Sequence, residues 1–138
     1  MTQEELNMLE VNARMTAFHS EDSWSPEIQS RSNYLSGIFN DKYRVKEVLY
    51  NLILLIEIMK NDIACFHFRK QDGTIREAYG TRQASIIDHY LTLSGKRNLT
   101  NKEKNASPST LSYFDLEKLE WRCFRIGNLK LVDTNYKI

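Results

Sequence analysis

Apolar residues in the first sixty positions recur every three or four residues, which is the spacing of amphipathic helices. A first predicted helix follows Thr2, because threonine caps helix N-termini. A second begins at Ser25 and Pro26, since serine favours the cap and proline the first helical position. The third is predicted over about residues 42–60. The pattern therefore indicates an N-terminal helical region of three helices.

The third predicted helix carries more apolar residues than a single stripe requires. They are Val45, Val48, Leu49, Leu52, Ile53, Leu54, Leu55, Ile56 and Met59. A helix that is apolar on most sides must be covered on most sides. This helix is therefore either the central helix of the protein or, in addition, a surface for self-association or for a partner chain.

Beyond residue 61 the apolar period changes to two, which is the period of a strand. The turn Gln71-Asp72-Gly73 separates two such segments, and glycine supplies the positive φ that a hairpin turn requires. The predicted strands cover 62–69, 74–80, 110–115, 121–126 and 129–132, with a short helix over 84–93 and a mobile polar loop over 96–109. Five short strands suit a small bent barrel of the SH3 or Sm type.

These elements predict an α+β fold, with a helical region over 1–60 and a barrel over 61–138. A chain of 138 residues with 41% hydrophobic and 27% charged residues is long enough and apolar enough for a buried core. The formal net charge is only +1, so no strong overall field points to nucleic acid or to a membrane surface. Lys and Arg exceed Asp and Glu in 61–138 but not in 1–60.

The first ten residues are acidic and lack the apolar segment of a secretory signal. The longest apolar stretch, over 48–59, is too short for a membrane span. Cys65 and Cys123 lie in strand-like segments, which favours two buried free thiols over a disulfide. A cytoplasmic protein is the expectation from these features.

Two segments of the second half carry a family resemblance. Residues 66–81 read FHFRKQDGTIREAYGT, and residues 113–126 read YFDLEKLEWRCFRI. Together they resemble the WYL-like family of Sm/SH3-type barrels of bacteria and their phages, over about residues 62–133. The tripeptide Trp-Tyr-Leu, which names the larger WYL group, is absent, and the corresponding strand begins Leu111-Ser-Tyr-Phe.

The resemblance implies an SH3-like barrel that senses a small ligand or single-stranded nucleic acid through basic and aromatic side chains. Strand alternation places Phe124 inside the barrel, with Trp121 and Arg125 together outside, where an indole and a guanidinium are able to hold a base or a phosphate. The predicted binding residues are Arg69, Arg76, Trp121, Arg122 and Arg125. The alternative is that Trp121 packs beneath the N-terminal helices and Arg125 pairs with a carboxylate.

Two other groups of residues are less specific. The basic loop residues Lys96, Arg97, Lys102 and Lys104 either contact phosphate or keep the loop solvated. The three histidines have no familiar metal-ligand spacing, and neither a glycine-rich phosphate loop nor a nucleophile motif is present. We therefore predict no catalytic residue, no metal site and no cofactor.

The predicted function is that of a non-catalytic regulatory or binding protein whose barrel binds a nucleotide-like ligand or single-stranded nucleic acid. The alternative is a protein–protein interaction module, in which the helix over 42–60 binds a partner, such as a host protein of a phage, and the barrel is a scaffold. The near-neutral charge favours this alternative, whereas the segment Trp121-Arg-Cys-Phe-Arg125 favours nucleic acid.

Overall fold

The computed structural model describes residues 1–95 and 107–136. The helices and strands within them are α1 (Gln3–His19), α2 (Pro26–Ile38), α3 (Lys42–Asn61), β1 (Ala64–Arg69), β2 (Ile75–Thr81), α4 (Ala84–Ser94), β3 (Thr110–Asp115), β4 (Glu120–Arg125) and β5 (Leu129–Asp133). The predicted elements are confirmed, and their ends agree to within two residues. Most of the predicted loop over 96–109, with its four basic residues, lies outside the described residues.

Side-chain caps begin the three N-terminal helices. The hydroxyl of Thr2 accepts a hydrogen bond of 3.1 Å from the backbone N–H of Glu5. Ser25 accepts one of 3.2 Å from the N–H of Ile28, and Asp41 caps α3 in the same way. Each cap satisfies a backbone donor that the helix itself leaves unpaired, so the helix starts are fixed by local chemistry.

The strands form one antiparallel sheet in the order β4-β3-β2-β1-β5. The two outer strands, β4 and β5, follow one another in the chain and are joined by a 3-10 turn over Ile126–Asn128. Strand β1 pairs with both β2 and β5, with a register shift between His67 and Phe68. This arrangement confirms the α+β fold with a C-terminal Sm/SH3-like unit.

Gly80 permits close packing where β2 passes over the aromatic core. A Cβ atom at this position would lie 2.7 Å from the ring of Tyr113 and 3.2 Å from that of Phe66. Both rings are fully buried and meet edge to face with centroids 5.0 Å apart. Only glycine fits this approach without displacing the rings.

Helix α3 is the central helix of the protein. Most of its apolar residues are buried beneath α1, α2 and the sheet, and Leu49, Leu52 and Leu55 are fully inaccessible. They belong to one continuous core that also contains Phe66 and Tyr113 of the strands. The helix is therefore the central helix of the protein. Tyr43 is exposed and Ile56 is half-buried, so the predicted self-association through 42–60 stays a prediction.

Arg31 of α2 ties the helical region to the start of β3. Its guanidinium is buried and donates to the backbone carbonyl of Thr110 at 2.8 Å and, at 3.4 Å each, to those of Ser107 and Pro108. Glu27, one turn earlier, supplies the opposite charge at 3.3 Å. A buried cation is tolerated here because carbonyls and a carboxylate surround it.

In the part of the chain that the structure describes, no helix combines the length and the apolar character that crossing a bilayer requires.

Candidate anion-binding cleft

A cleft of about 520 Å³ opens between the β1–β2 hairpin and the β3–β4 pair. Its lining consists of Phe68, Arg69, Lys70, Gln71, Asp72, Arg76, Thr110, Tyr113, Arg122, Cys123, Phe124, Arg125 and Asn128. Five of these residues are cationic, and Asp72 is the one acid among them. The structure therefore brings together four of the five predicted binding residues, which lie up to 56 positions apart in the sequence.

Antiparallel pairing places the arginines around an aromatic floor. Arg76 lies opposite Phe68, and Arg122 lies opposite Tyr113. The rings of Phe68 and Phe124 stack with centroids 5.0 Å apart, and both are buried. Residues that lie opposite each other share a face, so Arg76 and Arg122 lie on the side of the aromatic floor. Alternation places Arg69 and Arg125 on the outer faces of β1 and β4, and they reach the cleft at its rim.

Two of the cleft arginines already hold carboxylates. Arg76 forms an ion pair with Asp115, which is completely buried. The other oxygen of Asp115 accepts the backbone N–H groups of Glu117 and Lys118 at 2.9 and 3.1 Å. Asp115 therefore fixes both the turn after β3 and the position of the Arg76 guanidinium.

Arg122 is more exposed and is paired with Glu120 on its own strand. Its Nε and Nη2 atoms lie 3.0 and 2.9 Å from one oxygen of that carboxylate. The side chains are 39% and 55% exposed, so solvent screens this pair strongly. Arg122 is consequently able to exchange Glu120 for another anion at low cost.

Within the described residues, no carboxylate is bound to the guanidinium or ammonium groups of the remaining cations of the cleft. Arg69 donates to the carbonyl of Gly73 at 3.1 Å. Arg125 is exposed and forms neither a hydrogen bond nor an ion pair with the described residues. Lys70 is exposed, and its charge contributes to lowering the pKa of Asp72. These three residues carry the uncompensated positive charge of the cleft.

Asp72, the acid of the cleft lining, lies at the tip of the hairpin and offsets only part of the positive charge of the cleft. Its carboxylate accepts the backbone N–H of Thr74 at 2.9 Å and the hydroxyl at 2.6 Å. The hydroxyl bond, followed by the backbone bond, lowers the pKa of Asp72. The carboxylate is therefore committed to the turn, where Gly73 has a positive φ of 88° as the hairpin prediction required.

Tyr113 contributes a polar atom to the floor of the cleft. Its hydroxyl is buried and has no hydrogen-bond partner among the described residues. Burial raises the pKa of this phenol to about 12, while the charges of Arg76 and Arg122 act in the opposite direction. Buried hydroxyls normally have a partner, so a ligand atom that reached this floor would gain a hydrogen bond.

Trp121 is half-buried and lies outside the cleft lining, so it does not stand beside Arg125 as an exposed platform, and its role in binding stays a prediction. Its ring meets Phe114 edge to face at 6.0 Å and packs with Ile87 and Leu91 of α4. The two side chains do share the outer face of β4, as alternation predicted, but four residues of strand separate them by about 13 Å. The covering element is α4 rather than the N-terminal helices, and it shields the indole while leaving Arg125 open.

The prediction of two buried thiols is correct for Cys65 and wrong for Cys123. Cys65 is buried on β1, and burial raises its pKa to about 11. Cys123 lies on the outer face of β4 and is exposed. Both thiols are free. Alternation places both cysteines on the outer faces of their strands, and the sequence does not show that this face is covered at Cys65 and open at Cys123.

The comparisons with known proteins agree with this architecture. The family model WYL_2, described as an Sm-like SH3 beta-barrel fold, matches residues 52–130, which is more than half of the chain. The chain belongs to the WYL_2 family. The predicted resemblance is thereby confirmed, and the matched region extends from the second half of α3 to β5.

A relative from Enterobacteria phage T4 supports a connection with phages. It is described as an uncharacterised 11.5 kDa protein in the Gp31-cd intergenic region and is 40% identical over 68 residues. The aligned segment covers 49% of this WYL_2 chain and 61% of the phage protein. No solved structure matches the chain significantly.

Sequence reasoning missed Tyr113, which lines the cleft, and Asp115, which pairs with the cleft residue Arg76, although both lie in the segment that carries the WYL_2 resemblance. A tyrosine two residues before an aspartate on a predicted strand places both side chains on one face. Arg76, on the neighbouring hairpin strand β2, could therefore have been expected to pair with the Asp115 carboxylate. The shared face of Tyr113 and Asp115 was the sequence signal for that pair.

Proposed function

We propose that this WYL_2 protein is a non-catalytic binding module whose cleft binds a phosphate-bearing ligand, either a nucleotide or a segment of single-stranded nucleic acid. The observation that carries the proposal is the convergence of five cations on one cleft, of which Arg76 and Arg122 are paired with carboxylates and the other three have none bound among the described residues. The resemblance to WYL-type modules and the Sm-like fold are consistent with this function.

The free cations define where phosphate would bind. Arg69, Lys70 and Arg125 lie at the open side of the cleft, and no carboxylate neutralises their side chains within the described residues. Arginine presents several donors in a fixed plane and recognises phosphate oxygens by paired hydrogen bonds. A phosphate at this side would also compete with Glu120 for Arg122, which is screened and accessible.

The aromatic residues play a different part from the one that the sequence suggested. Phe68, Tyr113 and Phe124 are buried, so they leave no open ring face on which a base could stack. Trp121 is held beneath α4. Recognition in the cleft therefore rests on phosphate contacts more than on base stacking, which predicts weak sequence preference and strong salt dependence.

Fluorescence anisotropy with a labelled single-stranded oligonucleotide tests the proposal. The paired substitution Arg69→Gln and Arg125→Gln should weaken binding at least tenfold at low salt, because two of the three uncompensated charges are removed. Lys130→Gln is the matched control, since Lys130 is an exposed cation on β5 outside the cleft. Equal binding by the paired variant and the control would refute the proposal.

The protein–protein alternative is favoured by an apolar stripe on α1. Met8, Val11 and Met15 are 60%, 58% and 50% exposed and recur at helical spacing on one face. Light scattering of Val11→Lys tests whether this face joins two copies of the chain. A mass that falls from dimer to monomer supports the alternative, whereas a monomeric wild-type protein argues against it.

A further inference from the structure

The outer face of the β1–β2 hairpin brings together three side chains with different metal-binding donors. Cys65 and His67 alternate on β1, and Glu77 lies directly opposite His67 on β2. Their neighbours Phe66 and Phe68 point into the core. This cluster therefore occupies the opposite face of the hairpin from the aromatic floor of the cleft.

The donor atoms are already close to the spacing of ligands around one ion. The Cys65 sulfur, a His67 ring nitrogen and a Glu77 carboxylate oxygen all lie within 4.8 Å of one another. The His67 Nε2 and Glu77 Oε2 atoms are 3.2 Å apart. Two ligands of a tetrahedral zinc ion are separated by about 3.3–3.6 Å, given the usual bond lengths and angle. Side-chain adjustments of about 1 Å would complete the geometry.

We propose that Cys65, His67 and Glu77 form a Zn²⁺ site with three protein ligands and a fourth position open to water or to another ligand. Thiolate, imidazole and carboxylate are the three ligand types that zinc takes in proteins. The combination of a soft sulfur donor with imidazole disfavours magnesium and calcium, which take oxygen ligands. When the ion binds, the thiol proton leaves to solvent and the ion replaces the direct contact between His67 and Glu77.

The surroundings of the cluster support the site. The hydroxyl of Tyr79, opposite Cys65, donates to the Glu77 carboxylate, which is the kind of outer contact that orients metal ligands. Cys65 is 2% exposed, while the His67 and Glu77 side chains are 27% and 49% exposed. The ion would therefore reach the buried thiolate from the solvent side, where His67 and Glu77 are partly exposed. Asp133, opposite Cys65 on β5, accepts a backbone N–H at 2.9 Å and is not among the donors that lie within 4.8 Å of one another, so the site has three protein ligands.

The sequence predicted no metal site because spacings such as Cys-x-x-Cys and His-x-x-x-His are absent from it. The position of the hairpin turn, centred on Asp72, predicts which residues of the two strands face each other. Residues equidistant from that centre pair across the strands, so position 67 faces position 77. A cysteine two residues before that histidine then shares its face.

Titration of the reduced protein with Co²⁺, a spectroscopic substitute for zinc, tests the site. We expect one equivalent to bind with a thiolate-to-cobalt charge-transfer absorption that excess Zn²⁺ abolishes. Cys65→Ser should remove that absorption, and His67→Gln and Glu77→Gln should weaken binding at least tenfold. The controls are Cys123→Ser and His89→Gln, which remove an exposed thiol and an exposed imidazole outside the cluster.

The test holds even if Cys65→Ser folds poorly. Circular dichroism shows whether each variant is folded, and His67→Gln and Glu77→Gln alter partly exposed side chains and should fold. Absence of the absorption in the wild-type protein would overturn the site, as would unchanged affinity in folded His67→Gln. Loss of the absorption in Cys123→Ser would show that Cys123, and not Cys65, supplies the thiolate, and this result would also overturn the proposed site. None of these results depends on nucleic-acid binding.

Discussion

Replacing Asp115 by Asn removes the negative charge that holds the cleft arginine Arg76 in place. The amide oxygen of Asn keeps the acceptor for the backbone N–H groups of Glu117 and Lys118. Its NH₂ group then faces the guanidinium, so a donor meets a donor. The substitution thus isolates the ion pair from the turn that the same residue stabilises.

The magnitude follows from the burial of the two partners. Asp115 is fully buried, and the Arg76 side chain is 17% exposed. Removing one partner of a buried pair costs about 3–5 kcal/mol, and the partial exposure of Arg76 favours the lower end, about 3 kcal/mol. With a urea m-value of about 1.5–2 kcal/mol/M, the midpoint of unfolding should fall by about 1.5–2 M.

Urea unfolding followed by tryptophan fluorescence measures the effect. Asp115→Asn combined with Arg76→Met should be more stable than Asp115→Asn alone, because no buried cation is left without a partner. Glu120→Gln is the control, since it breaks the exposed pair with Arg122 and should cost less than about 1 kcal/mol. A loss below about 0.5 kcal/mol in Asp115→Asn, or simple additivity with Arg76→Met, would refute the reasoning.

Two further predictions concern thiol reactivity and core packing. At pH 8, iodoacetamide should modify exposed Cys123 much faster than Cys65, because burial raises the pKa of Cys65 to about 11. The rate of Cys65 modification should rise as the pH approaches that value. Mass spectrometry of the labelled peptides gives both rates, and equal rates would contradict the burial of Cys65. Gly80→Ala should lower the free energy of unfolding by about 1–3 kcal/mol, because its Cβ would lie 2.7 Å from the Tyr113 ring. Gly37→Ala, whose Cβ would meet no atom within 4 Å, should raise that free energy by about 0.5–1 kcal/mol in α2. Urea unfolding measures both values, and equal effects of the two substitutions would contradict this prediction.

Local chemistry made most of the fold predictable. A cap such as Thr2 or the Ser25-Pro26 pair fixes a helix start within the few residues that it contacts. Alternation and the Asp72-Gly73 turn likewise fixed the hairpin. The apolar run of α3 indicated a covered helix but left open whether the same chain or a second one covers it. The packing of α1, α2 and the sheet shows that the same chain covers most of this helix, and self-association through it stays a prediction.

The candidate cleft was predictable only in part, because it depends on contacts between distant segments. Alternation correctly placed Phe124 inward and Arg125 outward. No local pattern showed that α4 would cover Trp121 while leaving Arg125 exposed, although both side chains share one face. The pairing of Arg76 with Asp115 joins residues 39 positions apart, and it depends on how β2 meets β3.

The salt dependence of oligonucleotide binding tests the central claim most directly. Three uncompensated cations, Arg69, Lys70 and Arg125, predict a slope of about −2 for the logarithm of the binding constant against the logarithm of salt concentration. Arg125→Gln should reduce that slope to about −1.4 and weaken binding to all sequences by a similar factor. A flat salt response in the wild-type protein, or an unchanged slope in Arg125→Gln, would contradict phosphate recognition by this cleft.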